Sequence, residues 1–223
     1  IAVGIKTGEL PGNTRKDALS PWHGRIRLVQ VGDGMTGWAI PWDDWKGVFY
    51  DAMSRYEGLI VCHNIAFEAK FFELHSSWKI PWHRSHDTMI MAQLLDPLGS
   101  GALKSLTAKY IDPYAAHLQD ELSAGLAKNG WTWGTVPVEY EPYWAYGALD
   151  PILTMRLFAR FWPQVKEGTP YHYAYELEMN TRRIVTRMEL NGARLDLDYS
   201  QKKYDELIGY TEQVKDWVKN TYK

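Results

Sequence analysis

Apolar and polar residues alternate over residues 25–31 (RIRLVQV), a period-two spacing that predicts a strand with one buried face. Residues 32–34 (GDG) then read as a tight turn, and residues 37–40 pair back to complete a hairpin. At the start of the chain, residues 1–6 (IAVGIK) read as a short buried strand. Residues 8–24 carry three Gly and two Pro and are expected to form a long loop.

The period changes after residue 41. Residues 41–55 predict a helix, with Asp43 or Asp44 as cap and Trp45, Val48, Phe49 and Ala52 as its buried stripe. Residues 59–62 form a short apolar strand. Residues 66–75 form a helix with Phe67, Phe71 and Leu74 along one side. Further helices are expected over 87–95, 100–110, 113–128, 172–190 and 199–222. Asn191-Gly192 closes the 172–190 helix, and ARLDLDY is read as extended. Strands that come first and helices that follow predict an α/β fold, a mixed sheet with helices packed on its faces.

Composition narrows the function classes. The 223 residues carry a formal charge of −2, so bulk positive charge is not what would hold a nucleic acid; a cleft gripping a few nucleotides remains open. Aromatic residues are abundant, with 11 Trp, 14 Tyr and 6 Phe, most of them expected in the core and a few free to stack on bases. Cys62 is the single cysteine, which excludes an internal disulfide and a cysteine-based zinc site and points to a reducing compartment. No stretch reaches the length of a membrane span and no signal peptide opens the chain, which reads as a piece of a longer protein.

The candidate chemistry centres on residues 138–161 (VEYEPYWAYGALDPILTMRLFARF). On a helix, Tyr146 and Asp150 share one face, about 6 Å apart at Cβ. A phenol beside a carboxylate suits the handling of a metal-bound water on a phosphodiester. Pro151 offers no N–H to the Gly147 carbonyl, so the helix either bends after the site or restarts at Asp150.

Several short motifs, in order and at similar spacing, resemble the 3′–5′ proofreading exonuclease domain of bacterial and phage family A DNA polymerases, the DnaQ-like group with a tyrosine in its third motif. That motif is YGALD here, and the resemblance implies Asp150 as a metal ligand and Tyr146 as the residue that positions the attacking water. CHNIAFEAKFF (62–72) resembles the second motif: Asn64 and Phe67 match, and Glu68 stands where Asp is usual, as the second candidate metal ligand. The resemblance places His63, Asn64, Phe67 and Thr7 against the nucleic acid. SHDTMIMAQLLDP (85–97) and GALKSLTAKY also fit the family, with Asp87 as a cap or a support behind the ligands. Lys104 and Lys109 read as backbone contacts or as a solvated helix face.

By the same resemblance the fold is RNase H-like. Residues 1–168 are the exonuclease-like domain, and residues 169–223, with YELEMNTRRIVTRMELNGARLDLDY, the helical start of a polymerase domain. The implied partners are the single-stranded 3′ end of DNA and the polymerase domain in cis, with no membrane. The implied cofactor is Mg²⁺ or Mn²⁺ in intact relatives, and the implied location is the cytoplasm of a bacterium or phage-infected host.

The first motif departs from the family. Where the family carries Asp-Ile-Glu-Thr, this chain reads Gly4-Ile5-Lys6-Thr7, and Glu9 lies too far along to substitute. Two divalent ions about 4 Å apart need several carboxylates between them. Glu68 and Asp150 with Lys6 leave a net −1, so no tightly held ion pair and little hydrolysis are expected. The Lys6 ammonium is expected beside Asp150 or Glu68 in place of a cation. The alternatives are a naturally non-catalytic DNA-binding or scaffold module on the same fold, and an RNA exonuclease of the RNase D type.

Overall fold

The structure, a computed structural model, describes residues 1–115 and 117–222. Its strands are β1 (Ala2–Glu9), β2 (Gly24–Gly32), β3 (Gly37–Pro41), β4 (Ile60–Cys62) and β5 (Ser85–Asp87). Its α-helices are α1 (Trp42–Arg55), α2 (Ile65–His75), α3 (Thr88–Leu95), α4 (Leu103–Tyr110), α5 (His117–Asn129), α6 (Glu141–Val165), α7 (His172–Asn191) and α8 (Leu197–Thr221). The strands form one sheet in the order β3-β2-β1-β4-β5. The pairs β3-β2 and β2-β1 are antiparallel; β1-β4 and β4-β5 are parallel. This is the expected mixed sheet with flanking helices.

β1 is the central strand, and its alternation decides the chemistry. Ala2, Val3 and Ile5 enter the core, and Gly4 pairs across to Gln30 of β2. The β1-β2 register slips by one residue between Lys6 and Thr7, a bulge that lets the pairing continue to Glu9. The long loop expected over 8–24 is therefore shorter. β1 runs on to a buried Glu9, and a 3-10 helix (Arg15–Leu19) fills part of the remainder. Gly and Pro marked the turns correctly, but cross-strand hydrogen bonding extended both strands toward each other.

Two helices keep the expected period with a different phase. On α1 the buried residues are Trp42, Phe49 and Met53, whereas Trp45, Val48 and Ala52 face out. Trp42, Phe49, Phe72 and Trp78 pack edge and face on one another, and that cluster sets the rotation of α1. Pro41 holds the cap position, and Asp43 and Asp44 lie in the first turn, where the helix dipole favours them. On α2 Phe71 is buried, Phe67 half-buried, and Leu74 exposed. The helix expected over 113–128 crosses residue 116, outside the described residues. Residues 113–115 form turns, and α5 is helical from His117.

α6 lies across β1, β2 and β3. Pro142 at its start presets the backbone, and Tyr143, Tyr146, Asp150, Leu153, Leu157 and Phe161 follow at helical spacing on the buried side. Each large apolar member of that stripe contributes about 1.5–3 kcal/mol of burial. The approach to the sheet is close. A Cβ on Gly37 would lie 1.9 Å from the Ala148 carbonyl oxygen, and one on Gly147 would lie 3.3 Å from Ala39 Cβ. α6 does not restart at Asp150. One helix runs through Pro151, whose ring packs against Gly32, so Tyr146 and Asp150 keep their shared face.

The chain divides into two compact units, residues 1–187 and 188–223. In the second, α8 is capped by the Asp196 carboxylate accepting from the Tyr199 N–H at 2.9 Å. It carries the i,i+3 ion pairs Lys203–Glu206 and Lys215–Glu212. α8 begins inside ARLDLDY, so that segment is only partly extended. No described helix is long and apolar enough to cross a membrane.

Candidate active site

The site gathers residues from β2, which gives Gln30, and from four further elements. β1 gives Gly4, Lys6 and Thr7, α2 gives Phe67 and Glu68, α4 gives Lys104, and α6 gives Tyr146 and Asp150. A polar cavity of about 180 Å³ is lined by Gly4, Lys6, Gln30, Glu68 and Asp150, with His63 and Phe67 at its wall. An apolar cavity of about 310 Å³ lies against it, walled by Thr7, Leu19, Phe67, Trp133 and Tyr146. Ile5, Lys6 and Phe67 line both.

Asp150 is buried, and both its oxygens are engaged. Lys6 Nζ donates to Oδ2, and Lys104 Nζ donates to Oδ1 at 2.5 Å. The side chains are only 14% exposed for each lysine and 11% for the aspartate. Both ammoniums also sit on the Tyr146 ring, at 4.0 and 4.5 Å from its centroid, where the π face attracts cations. Burial alone would raise the Asp150 pKa, but Lys6 and Lys104 together hold it below the usual carboxylate range. Burial pulls the Lys6 ammonium down, and Asp150 and Tyr146 more than compensate, so its pKa is raised. At Lys104 burial wins, and its pKa is lowered.

Glu68 is buried, and its Oε2 finds no hydrogen-bond partner. Burial pushes its carboxyl well above the ordinary value; nearby Asp87 and Asp150 add to that rise and Lys6 opposes it. His63 uses both ring nitrogens within the fold, on Thr88 Oγ1 and the Gly101 carbonyl, each at 2.9 Å. Asn64 is the one non-glycine residue with positive φ among those described, at +69°, a left-handed conformation that Asn tolerates better than most. Its side chain makes no cap bond to α2.

Asp87 supplies that cap instead. Its carboxylate accepts from the N–H groups of Asn64 (3.0 Å), Ile65 (2.9 Å) and Met89 (2.8 Å), tying the starts of α2 and α3 together. It is fully buried and lies behind Glu68 as a support for α2. Lys109 pairs with Asp96 at 2.9 Å, away from the cavities.

The family chemistry calls for two divalent ions, and the residues here do not fit a pair. Ammoniums take both Asp150 oxygens. At an effective dielectric of 20, a divalent ion 4 Å from one ammonium is repelled by about 8 kcal/mol. An acid at position 4 would also need the end of the Gln30 side chain to turn aside. A Cβ on Gly4 would lie 2.8 Å from Gln30 Oε1. Among the described residues no group of three His, Cys, Asp or Glu side chains is placed to hold a metal.

The sequence does not point to Gln30 or Trp133, and it points to Lys104 only as a backbone contact or a solvated residue, not as a partner of Asp150. Gln30 left a signal: in RIRLVQV it occupies the inward phase of Ile26 and Leu28, and a glutamine there announces a polar contact inside. Trp133 and the Lys104–Asp150 pairing left none, because each meets the site only through long-range packing.

A mixed five-stranded sheet with a tyrosine and an aspartate one turn apart on the helix across it defines the class, an RNase H-like nuclease fold. The chain belongs to the 3′–5′ exonuclease family of family A DNA polymerases, whose profile matches residues 23–166. It is 27% identical over 203 residues to the DNA polymerase of Mycobacterium phage D29, covering 83% of this chain and 33% of that protein. It is 27% identical over 220 residues to the DNA polymerase of Mycobacterium phage L5, covering 87% and 36%. Against DNA polymerase I of Borreliella burgdorferi it is 29% identical over 140 residues, covering 63% and 14%. The chain thus spans about a third, or less, of the length of these relatives.

Proposed function

We propose that this chain is the exonuclease-fold part of a DNA polymerase and that it receives the single-stranded 3′ end of DNA without efficient hydrolysis. Residues 169–223 are read as the start of the polymerase domain, which acts in cis, in the cytoplasm of a bacterium or an infected host. In intact relatives a pair of Mg²⁺ or Mn²⁺ ions supplies the nucleophilic water and stabilises the leaving oxygen. The observation that carries the reading is the engagement of both Asp150 oxygens by Lys6 and Lys104.

Without those ions the remaining groups bind rather than cleave. Thr7, Phe67, Trp133 and Tyr146 wall a cavity suited to a base, with Phe67 and Trp133 offering stacking faces. Burial raises the Tyr146 phenol pKa, so it stays protonated as a hydrogen-bond donor. His63 and Asn64 serve the turn into α2, with His63 bonded on both nitrogens. The curated relatives are named DNA polymerases, which favours DNA over the RNA substrate of an RNase D-type enzyme.

The test is a 5′-labelled single-stranded oligonucleotide incubated with the chain and Mg²⁺ or Mn²⁺, with binding followed by anisotropy and length by gel. Binding with no shortening over hours supports the proposal. Rapid 3′ shortening refutes the loss of hydrolysis. No binding at all favours a scaffold module.

A further inference from the structure

We infer that Lys6 and Lys104 hold the phosphate of a 3′-terminal nucleotide directly, as two tethered cations standing where the family places divalent ions. The inference rests on the reading above that a DNA 3′ end enters this site, and adds how it is gripped.

Lys6 lines both cavities, and Lys104 joins it on one carboxylate and one aromatic ring that also line them, so their positive charge is concentrated just behind a single point of the cavity wall. An ammonium has three N–H donors, and Asp150 takes one from each lysine. The Gln30 side chain, 2% exposed, lines the same cavity with its Oε1 toward Gly4, while its Nε2, toward Gly147 of α6, has no partner. On the α2 side, Glu68 Oε2 is an acceptor without a partner. An orphaned buried polar group costs about 1–3 kcal/mol, so a ligand that satisfies Glu68 is favoured.

A nucleotide end has the matching chemistry. Its phosphate oxygens accept from the ammoniums, and its terminal 3′-hydroxyl donates to Glu68. The shape agrees, since the polar cavity opens beside the aromatic one and Lys6 and Phe67 line both. Phosphate in the first and base in the second places one nucleotide across the pair. The same chemistry belongs to a strand end and to a free deoxynucleoside 5′-monophosphate.

Anisotropy of a 5′-fluorescein single-stranded oligonucleotide on the full chain, in EDTA, tests this. Wild type is expected to bind in EDTA, with affinity changed less than about twofold by Mg²⁺. K6M/K104M/D150N removes the whole ion cluster without leaving a buried charge unpaired, and its thermal unfolding is checked beside wild type. It is expected to bind at least about tenfold more weakly in EDTA, the loss expected for one charged hydrogen-bonded contact. K104R, which keeps the charge, is expected to retain most of the affinity. Competition by deoxynucleoside monophosphate supports a site for the nucleotide unit, and no competition supports one for strand ends. Wild-type binding that appears only with Mg²⁺, or a folded triple variant that binds as tightly as wild type, overturns the inference. Those results differ from failure of the parent reading, in which wild type shortens the strand or does not bind it in either buffer.

Discussion

Replacing Asp150 by alanine separates an ion cluster from a metal site by the sign of its effect on stability. In a metal site free of metal, crowded carboxylates repel, and deleting one relieves the fold. Here Asp150 is hydrogen-bonded to two ammoniums that are each 14% exposed. Removing it leaves Lys6 and Lys104 facing one another with Glu68 alone nearby, and breaking a buried pair from one side costs about 3–5 kcal/mol. The residual exposure lets water relieve part of this, so D150A is expected to lose about 3 kcal/mol. The triple change K6M/K104M/D150N removes both signs together and is expected to lie within about 1 kcal/mol of wild type or above it. Urea unfolding at pH 7, followed by tryptophan fluorescence and circular dichroism, measures both. A D150A chain as stable as wild type, or more stable, refutes the ion-cluster reasoning.

Rebuilding the first motif by G4D/K6E is expected to destabilise the fold and to leave Mn²⁺ binding undetected by calorimetry. The Cβ that G4D adds would lie 2.8 Å from Gln30 Oε1, and Lys104 still holds Asp150. Adding Q30A and K104A is expected to restore measurable Mn²⁺ affinity, and ion binding by G4D/K6E alone would show that Gln30 does not block the place. His86, against Phe158, Trp162 and the Tyr175 hydroxyl, has its pKa lowered by burial to about 4. Its folded value lies below its unfolded one, so it contributes stability above about pH 6.5 that is lost as pH falls toward 4. Between pH 7 and 5 that loss, discounted for partial exposure, is about 1–2 kcal/mol. H86Q is expected to flatten it in urea titrations at each pH, and an unchanged slope would contradict the assignment.

How much of this was legible depended on whether the signal was local. The β2-β3 hairpin followed from alternation and GDG, and α6 with its Tyr146-Asp150 face followed from helical spacing. The loss of first-motif acids could be read at once from Gly4 and Lys6. The rotation of α1 could not, because Trp42 and Trp45 are both plausible inward residues until the Phe49–Phe72–Trp78 cluster selects one. Nor could the continuation of β1 to Glu9, which depends on a one-residue bulge in β2 at Arg27. Lys104 lies 46 residues from Asp150 in sequence, and nothing in GALKSLTAKY distinguishes it from a solvated lysine. Gln30 stands opposite Gly4, so the glutamine occupies room the missing side chain leaves, a pairing visible only once the register is known.

A crystal of the chain soaked in Mn²⁺ with a bound oligonucleotide, with anomalous maps calculated around Asp150, puts the replacement of ions by lysines to its most direct test. The expected map shows no pair of peaks, with Lys6 and Lys104 still on the two carboxylate oxygens. Two well-occupied peaks about 4 Å apart beside Asp150, with the lysines displaced, would contradict it.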